Sequence, residues 1–270
     1  MKRILNYPGS KWSMADWIIN MMPPHLTYLE PYFGSGAVFF NKPKSRIETV
    51  NDLDGRVVNF FKVCRDHPQE LCREIELTPL SREEHELAYK PSPDPIEDAR
   101  RFMVRSWQAI GGKTSDRTGW RSNIDQVGGK IGEWEGLDQR IVAVAKRLKN
   151  AQIEHQPALQ LLDRYNRPGV LAYVDPPYLL STRSKRHYAV EMTDADHEAL
   201  LDTLVNFKGK VIISGYQSEM YDSYLGDWHK RYFDAHAEAG QKRQEVVWCN
   251  FEPAGSLDLL EMEDAKHEQI

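Results

Sequence analysis

Asp175-Pro176-Pro177-Tyr178 carries the densest chemistry in this sequence. It follows the apolar run Val170-Leu171-Ala172-Tyr173-Val174, which reads as a buried strand. The end of such a strand is the usual edge for ligand binding in a parallel sheet. Two prolines remove two backbone donors and stiffen the loop, which leaves the Asp175 carboxylate and the Pro176 carbonyl as acceptors. Two converging acceptors suit a group with two N–H donors, such as an exocyclic amine. Tyr178 adds a flat face for a base. A plain rigid turn is the competing reading, and its position after a buried strand weighs against it.

A second site precedes it. Tyr28-Leu29-Glu30-Pro31 leads into Phe33-Gly34-Ser35-Gly36, and Asp52 lies at the end of the next apolar stretch, Ile47 to Asn51. Glycines let a backbone approach a ligand closely. In a βαβ unit an acid so placed sits beside a ribose whose other end lies over the Gly turn. The pair suggests an adenosine-containing cofactor. An ordinary βα turn is the alternative, because position 39, where a dinucleotide fingerprint has its third Gly, is Phe39. Near the N-terminus, Tyr7-Pro8-Gly9-Ser10-Lys11-Trp12 presents a Lys from a Gly-containing turn. It is either a surface turn or a cation placed to meet a carboxylate or hold a loop.

Other motifs fail. Gly112-Lys113-Thr114 ends like a P-loop, but Trp107 stands where the first Gly belongs. His85-Glu86 begins like a zinc-protease helix, but Tyr89 replaces the second His. No Cys and His cluster has metal spacing, so no metal is expected.

The elements that must position these residues read as an α/β sheet. The first 65 residues give βαβα, the pattern of a parallel sheet covered by helices. Strands are predicted at Ile47–Asn51, around Ile153, at Val170–Val174, Lys210–Ser214 and Glu245–Phe251. Helices are predicted at Gly55–Cys64, Glu97–Ile110, Leu137–Leu148, Ala158–Tyr165 and Asp194–Phe207, the last capped by Thr193. Residues 66–99 look helical and are broken by prolines. Residues 111–136 hold seven glycines interleaved with basic and Trp side chains and are expected to form exposed loops, including a hairpin. The simplest organisation is a domain of residues 1–65 and 151–251, an insert at 66–150, and an acidic polar tail at 252–270 expected to be disordered.

Composition fits a soluble globular chain: 270 residues, 41% hydrophobic and 28% charged. No apolar run reaches the roughly 18 residues of a membrane span. The N-terminus shows no signal-peptide core, and the three cysteines form no framework, so the cytoplasm is the expected location. The net charge of −5 argues weakly against nucleic acid, but it is uneven. Residues 66–99 sum to −7, residues 100–150 to +6 and residues 252–270 to −5. The basic stretch is either a solvated face or a phosphate-contacting surface.

Taken in order, Tyr7–Trp12, Leu29–Gly36, Asn51-Asp52 and Asp175–Tyr178 resemble an N6-adenine-specific DNA methyltransferase of the Dam-like group, over about residues 4–251. Ser214-Gly215-Tyr216 and Glu245–Asn250 are similar to phage-encoded members. The resemblance implies a Rossmann-like methyltransferase sheet with an inserted target-recognition domain, S-adenosyl-L-methionine as cofactor and double-stranded DNA as partner. A monomer or weak dimer is the expected state. By matching position, Tyr7, Lys11 and Glu30 line the cofactor pocket, Phe33, Gly34 and Gly36 pass under the cofactor, and Asp52 holds its ribose. Asp175, with Pro176, Pro177 and Tyr178, lies where cofactor and target amine meet, and the target base is flipped out of the duplex. Tyr7 stands where the best-known members carry Trp. For DNA contacts the sequence offers Lys113, Arg117, Arg121, Lys130, Arg183, Lys185 and Arg186 toward phosphates, with Asn123 and Gln126 toward base edges. A cytosine-N4 methyltransferase and a catalytically silent DNA-binding module are the alternatives. Whether the setting is restriction–modification, phage protection or regulation is left open.

Overall fold

The computed structural model describes residues 1–111, 113–122, 130–183, 186–236 and 242–253. Seven strands form one sheet: β1 Thr27–Glu30, β2 Ile47–Asn51, β3 Gln152–Glu154, β4 Val170–Val174, β5 Lys210–Gly215, β6 His229–His236 and β7 Lys242–Cys249. Their order is β3-β2-β1-β4-β5-β7-β6. The first five run parallel, and β7 is antiparallel to both β5 and β6. The expected parallel pattern is therefore completed by an antiparallel hairpin. The sequence reading missed β6, whose His, Lys, Arg and Asp residues obscure any apolar period on this edge strand.

Strand alternation builds two cores. Val170, Ala172 and Val174 face one way with Leu29, Val211, Ile213 and Trp248. Leu171 and Tyr173 face the other with Tyr28, Val50, Ile212 and Val247. Central strands covered on both faces read as continuous apolar runs, which is why β4 and β5 were visible in the sequence. The first face packs α9 Ala158–Arg164, α10 Asp194–Val205 and α11 Glu219–Tyr224; the second packs α1 Ala15–Asn20, α2 Ala37–Asn41 and α3 Gly55–Asp66.

The β2-to-β3 connection continues from α3 through α4 Pro68–Glu76, α5 Arg82–Leu87, α6 Pro95–Gln108, α7 Lys130–Trp134 and α8 Leu137–Leu148. Leu71, Phe102, Trp107 and Val144 from these helices join the same core as Tyr28 and Leu171. Helix α6 starts two residues earlier than predicted, because Asp94 caps it by accepting from Ile96 N and Pro95 fits the first turn. In the stretch expected to be loop, Ala109 bridges Trp120 in antiparallel fashion, and α7 supplies the buried Trp134, whose indole N–H donates to the Thr78 carbonyl. Arg147 of α8 donates to Glu48 on β2 and to the Phe39 carbonyl on α2, tying the excursion to the sheet. Among the described residues, no helix is long and apolar enough to cross a membrane. The tail beyond residue 253 lies outside the described residues.

Connections leave β1 toward β2 and β4 toward β5, on opposite sides. The carboxyl ends of β1 and β4 therefore flank a crevice, the ligand position of open α/β sheets.

Candidate active site

At the tip of β1 the chain turns through Phe33-Gly34-Ser35-Gly36 into α2. Gly34 and Gly36 have φ of 49° and 67°, a region costly for residues with a Cβ. Space is equally decisive at Gly36: a Cβ there would lie 2.6 Å from the Phe33 and Phe40 rings. Gly34 N donates to Asp52 Oδ2 at 2.8 Å, and Asp54 N donates to Asp52 Oδ1 at 2.9 Å. Asp52 thus joins the tips of β1 and β2. Burial pushes its pKa up to about 6, against the pull of these N–H donors and with help from Asp54.

At the tip of β4, Asp175 meets three segments distant in sequence. Ser214 Oγ, from the end of β5, donates to Asp175 Oδ1 at 2.7 Å. Lys11 Nζ sits 3.0 Å from the same oxygen and 3.7 Å from Glu245 Oε2 on β7. Among the described residues, Asp175 Oδ2 has no hydrogen-bond partner. Lys11 is only 3% exposed. Burial works against its charge, but Asp175 and Glu245 outweigh this and hold it above the usual amine range. For Asp175, burial raises the pKa and Glu245 adds to the rise, while Lys11 and Ser214 oppose it. Lys11 therefore meets a carboxylate and holds a loop at once: its Nζ also donates to the Gly9 carbonyl at 2.6 Å.

Tyr178 is pinned from its tip. Its hydroxyl donates to Glu245 Oε2 at 2.7 Å. The Lys11 ammonium lies 4.7 Å from the ring centroid, and Tyr216 meets the ring edge-on at 4.7 Å. The ring is 7% exposed, so Tyr216 shares whatever aromatic surface the loop presents.

Both strand tips open into one cavity of about 250 Å³. Tyr7, Lys11, Glu30, Phe33, Gly34, Asp52, Asp175 and Pro177 line it, whereas Gly36, Pro176 and Tyr178 are not among its lining residues. Glu30 is buried, accepts from the Tyr28 hydroxyl at 2.6 Å, and has a pKa raised by burial to about 8. The sequence reading missed Pro157–Leu159 after β3, the Tyr188–Met192 segment after the catalytic loop, and Asp196. It also gave Glu245 no role, although a lone acid heading the apolar run Val246-Val247-Trp248 is a legible signal. The lining holds six acidic side chains, Glu30, Asp52, Asp54, Asp175, Glu191 and Asp196, with Lys11 as the basic one; burial favours the protonated form of Glu30, and Glu191 is paired with Arg183. That donor set fits a cationic ligand.

The basic candidates separate into distinct positions. Arg117 and Arg186 are exposed, with Arg117 paired to Glu86 at 3.2 Å. Lys113 is half-buried. Arg121 folds back, donating to the Ala109 carbonyl at 3.2 Å. Arg183 lies inside: its side chain is 4% exposed and paired with Glu191. Asn123, Gln126 and Lys185 lie outside the described residues, as does the Lys130 side chain.

Two solved structures share a weak overall likeness. One is precorrin 8W decarboxylase from Methanobacterium thermoautotrophicum, with TM-score 0.39 and 8% identity over 91% of this chain and 94% of that one. The other is an rRNA methylase from Streptococcus thermophilus, with TM-score 0.38 and 8% identity over 88% and 93%. At such scores they bear on neither substrate nor mechanism. The profile of one sequence family, by contrast, matches residues 7–242, from Tyr7 of the N-terminal turn to the first residue of β7. The chain belongs to the D12 class of N6 adenine-specific DNA methyltransferases and takes its methyl group from S-adenosylmethionine.

Proposed function

We propose that the acidic cavity holds S-adenosylmethionine and that Asp175 receives the amine of an adenine flipped from double-stranded DNA. The observation that carries this reading is Asp175 itself. Oδ1 is occupied by Lys11 and Ser214, while Oδ2 is left to the cavity. The sulfonium and ammonium of the cofactor would match the acidic lining, Asp52 would hold the ribose, and Phe33–Gly36 would lie beneath the cofactor. When bound, the cofactor supplies an electrophilic methyl group.

The remaining work falls to the protein. Adenine N6 is a poor nucleophile because its lone pair is delocalised into the ring. Acceptance of its two N–H bonds by Asp175 Oδ2 and the Pro176 carbonyl favours a more tetrahedral nitrogen. Lys11 and Ser214 hold Asp175 in place and favour its ionised form against the effect of burial, so positioning and electrostatics provide the catalysis. The methylated amine then sheds a proton, for which Oδ2 is the adjacent base. An amine inside a duplex is out of reach, so the base is extruded and rests beside the Tyr178–Tyr216 pair. Lys113, Arg117 and Arg186 contact phosphates.

Transfer of a labelled methyl group from S-adenosylmethionine into duplex DNA tests the reading. Asp175→Ala is expected to abolish transfer, and undiminished transfer would sink the assignment.

A further inference from the structure

Arg183, five residues past Tyr178, spends its whole guanidinium inside the protein. Nε donates to the Tyr178 carbonyl at 2.8 Å. Nη1 donates to Glu191 Oε1 at 3.0 Å, and Nη2 engages Glu191 Oε2. Glu191 Oε1 also accepts from His187 N at 2.8 Å and Tyr188 N at 3.0 Å. The fork thus grips the end of the catalytic loop with one nitrogen and closes the next loop with the other two. That second loop is the cavity wall, since Tyr188, Val190, Glu191 and Met192 all line the cavity. Tyr188 is held from the far side too: its hydroxyl packs against Gly9, where a Cβ would come within 2.0 Å of it.

The wall is also fastened to the insert. Thr114 N donates to the His187 carbonyl at 2.9 Å, and Ala189 N donates to Thr114 Oγ1 at 3.0 Å. Ser115 N donates to the His187 carbonyl at 3.2 Å. Thr114 is buried and flanked in sequence by Lys113 and Arg117. Hydrogen bonds thus run in series from Thr114 to the cavity wall, and through Arg183 to the Tyr178 carbonyl.

We propose that Arg183 and Glu191 are positioning residues for methyl transfer, locking the catalytic loop to the cofactor wall, and that Thr114 couples this unit to the DNA-facing insert. The proposal rests on the functional reading above. It reassigns Arg183 from phosphate contact, the role that the Arg183–Arg186 cluster suggested, to internal geometry. A buried bidentate Arg–Glu pair is specific in direction as well as energy, and Lys cannot reproduce the fork.

The test uses the full chain with Arg183→Lys, Glu191→Gln and Thr114→Val, and a short DNA duplex carrying a methylation site. Three quantities are read: the single-turnover rate at saturating DNA, cofactor affinity with and without DNA, and the slope of log DNA affinity against log salt. Arg183→Lys and Glu191→Gln are each expected to lower the rate tenfold or more and to weaken cofactor binding. The double variant should be no worse than the poorer single, because both break one pair. The salt slope should stay at the wild-type value, whereas Arg117→Gln should reduce it by about one. In the wild type, DNA should tighten cofactor binding, and Thr114→Val should abolish that coupling, which linkage requires to be reciprocal. A wild-type rate in both pair variants would overturn the proposal, as would a salt slope reduced by Arg183→Lys, or full coupling in Thr114→Val. Any of these, with Asp175→Ala still inactive, refutes the positioning role and leaves the catalytic reading standing.

Discussion

Replacing Lys11 with methionine probes the charge arrangement at its centre. The ammonium lies 3.0 Å from Asp175 Oδ1 and 3.7 Å from Glu245 Oε2. At an effective dielectric of 20, the nearer contact is worth about 5.5 kcal/mol before desolvation. Methionine keeps most of the volume, so packing loss is small. What remains is a buried carboxylate pair without its cation. Removing one partner from such an arrangement costs about 3–5 kcal/mol. The protein escapes by taking up a proton, and Asp175 accepts it, because burial and Glu245 already push its pKa up while Lys11 pulls it down. A protonated Asp175 is a weaker acceptor for an amine and no base for the product proton. If that energy falls on the transition state, transfer near neutral pH drops by about 10²- to 5 × 10³-fold. The sign of the pH effect follows. Loss of Lys11 raises the Asp175 pKa further, so the rate of the variant should climb with rising pH more steeply than that of the wild type. The assay is single-turnover transfer of labelled methyl groups at saturating DNA from about pH 6 to 9, with cofactor affinity measured alongside. A variant rate within threefold of wild type, or a profile parallel to it, would refute the electrostatic role of Lys11.

Gly36→Ala adds a Cβ at φ 67° and 2.6 Å from two buried rings, so about 2–5 kcal/mol of stability should be lost; urea denaturation checks this, and a loss below about 1 kcal/mol would show that the aromatic cluster yields. Asp52→Asn should change the pH dependence of folding. The folded-state pKa of Asp52 is raised to about 6, so its ionisation destabilises the native protein as pH rises from the ordinary carboxylate range through 6. The variant lacks that loss, and its advantage over wild type should grow across this window in thermal melts; a constant difference would count against the shift. Glu245→Gln keeps an acceptor for the Tyr178 hydroxyl but removes one of the two charges on Lys11. It should retain DNA affinity and lower the transfer rate by about tenfold, and a change confined to the Michaelis constant for DNA would point to base binding instead.

Legibility in the sequence followed the range of the interactions. Asp175–Tyr178 and Phe33–Gly36 were readable because their chemistry is local: a strand end, a turn, two prolines, two glycines. Strand β4 was readable because both its faces are buried, which leaves no polar residue between Val170 and Val174. Glu245 was not, because its role exists only where β7 lies antiparallel beside β5 and meets a Lys from the N-terminal turn. Arg183 was read with Arg186 as a basic cluster, since composition counts charges and does not show where a guanidinium points. The one local hint was Glu191, eight residues on, within reach of a loop that folds back. Tyr188 likewise enters the cavity on a loop that Thr114, more than seventy residues earlier, helps to hold.

The antiparallel hairpin has a consequence for charge. Because β7 runs against β5, its leading residues arrive at the carboxyl edge of the sheet, where the pairing sets Gly215 opposite Val246. Glu245 is thereby delivered to Asp175, and the crevice becomes strongly acidic. Such a cavity suits a cation and repels a polyanion, so attraction for DNA has to come from elsewhere. On the proposed reading, exposed basic residues such as Arg117 and Arg186 would supply it, since Arg100, Arg140 and Arg147 are spent on internal ion pairs. The two binding events should then respond differently to salt. Surface phosphate contacts are screened within a Debye length of about 10 Å at 0.1 M, and buried charges far less. Between about 50 and 200 mM salt, DNA affinity should fall steeply, while cofactor affinity in the absence of DNA should change by less than about threefold. Parallel losses in the two titrations would mean that cofactor and DNA are held by one shared set of charges, contrary to the proposed reading.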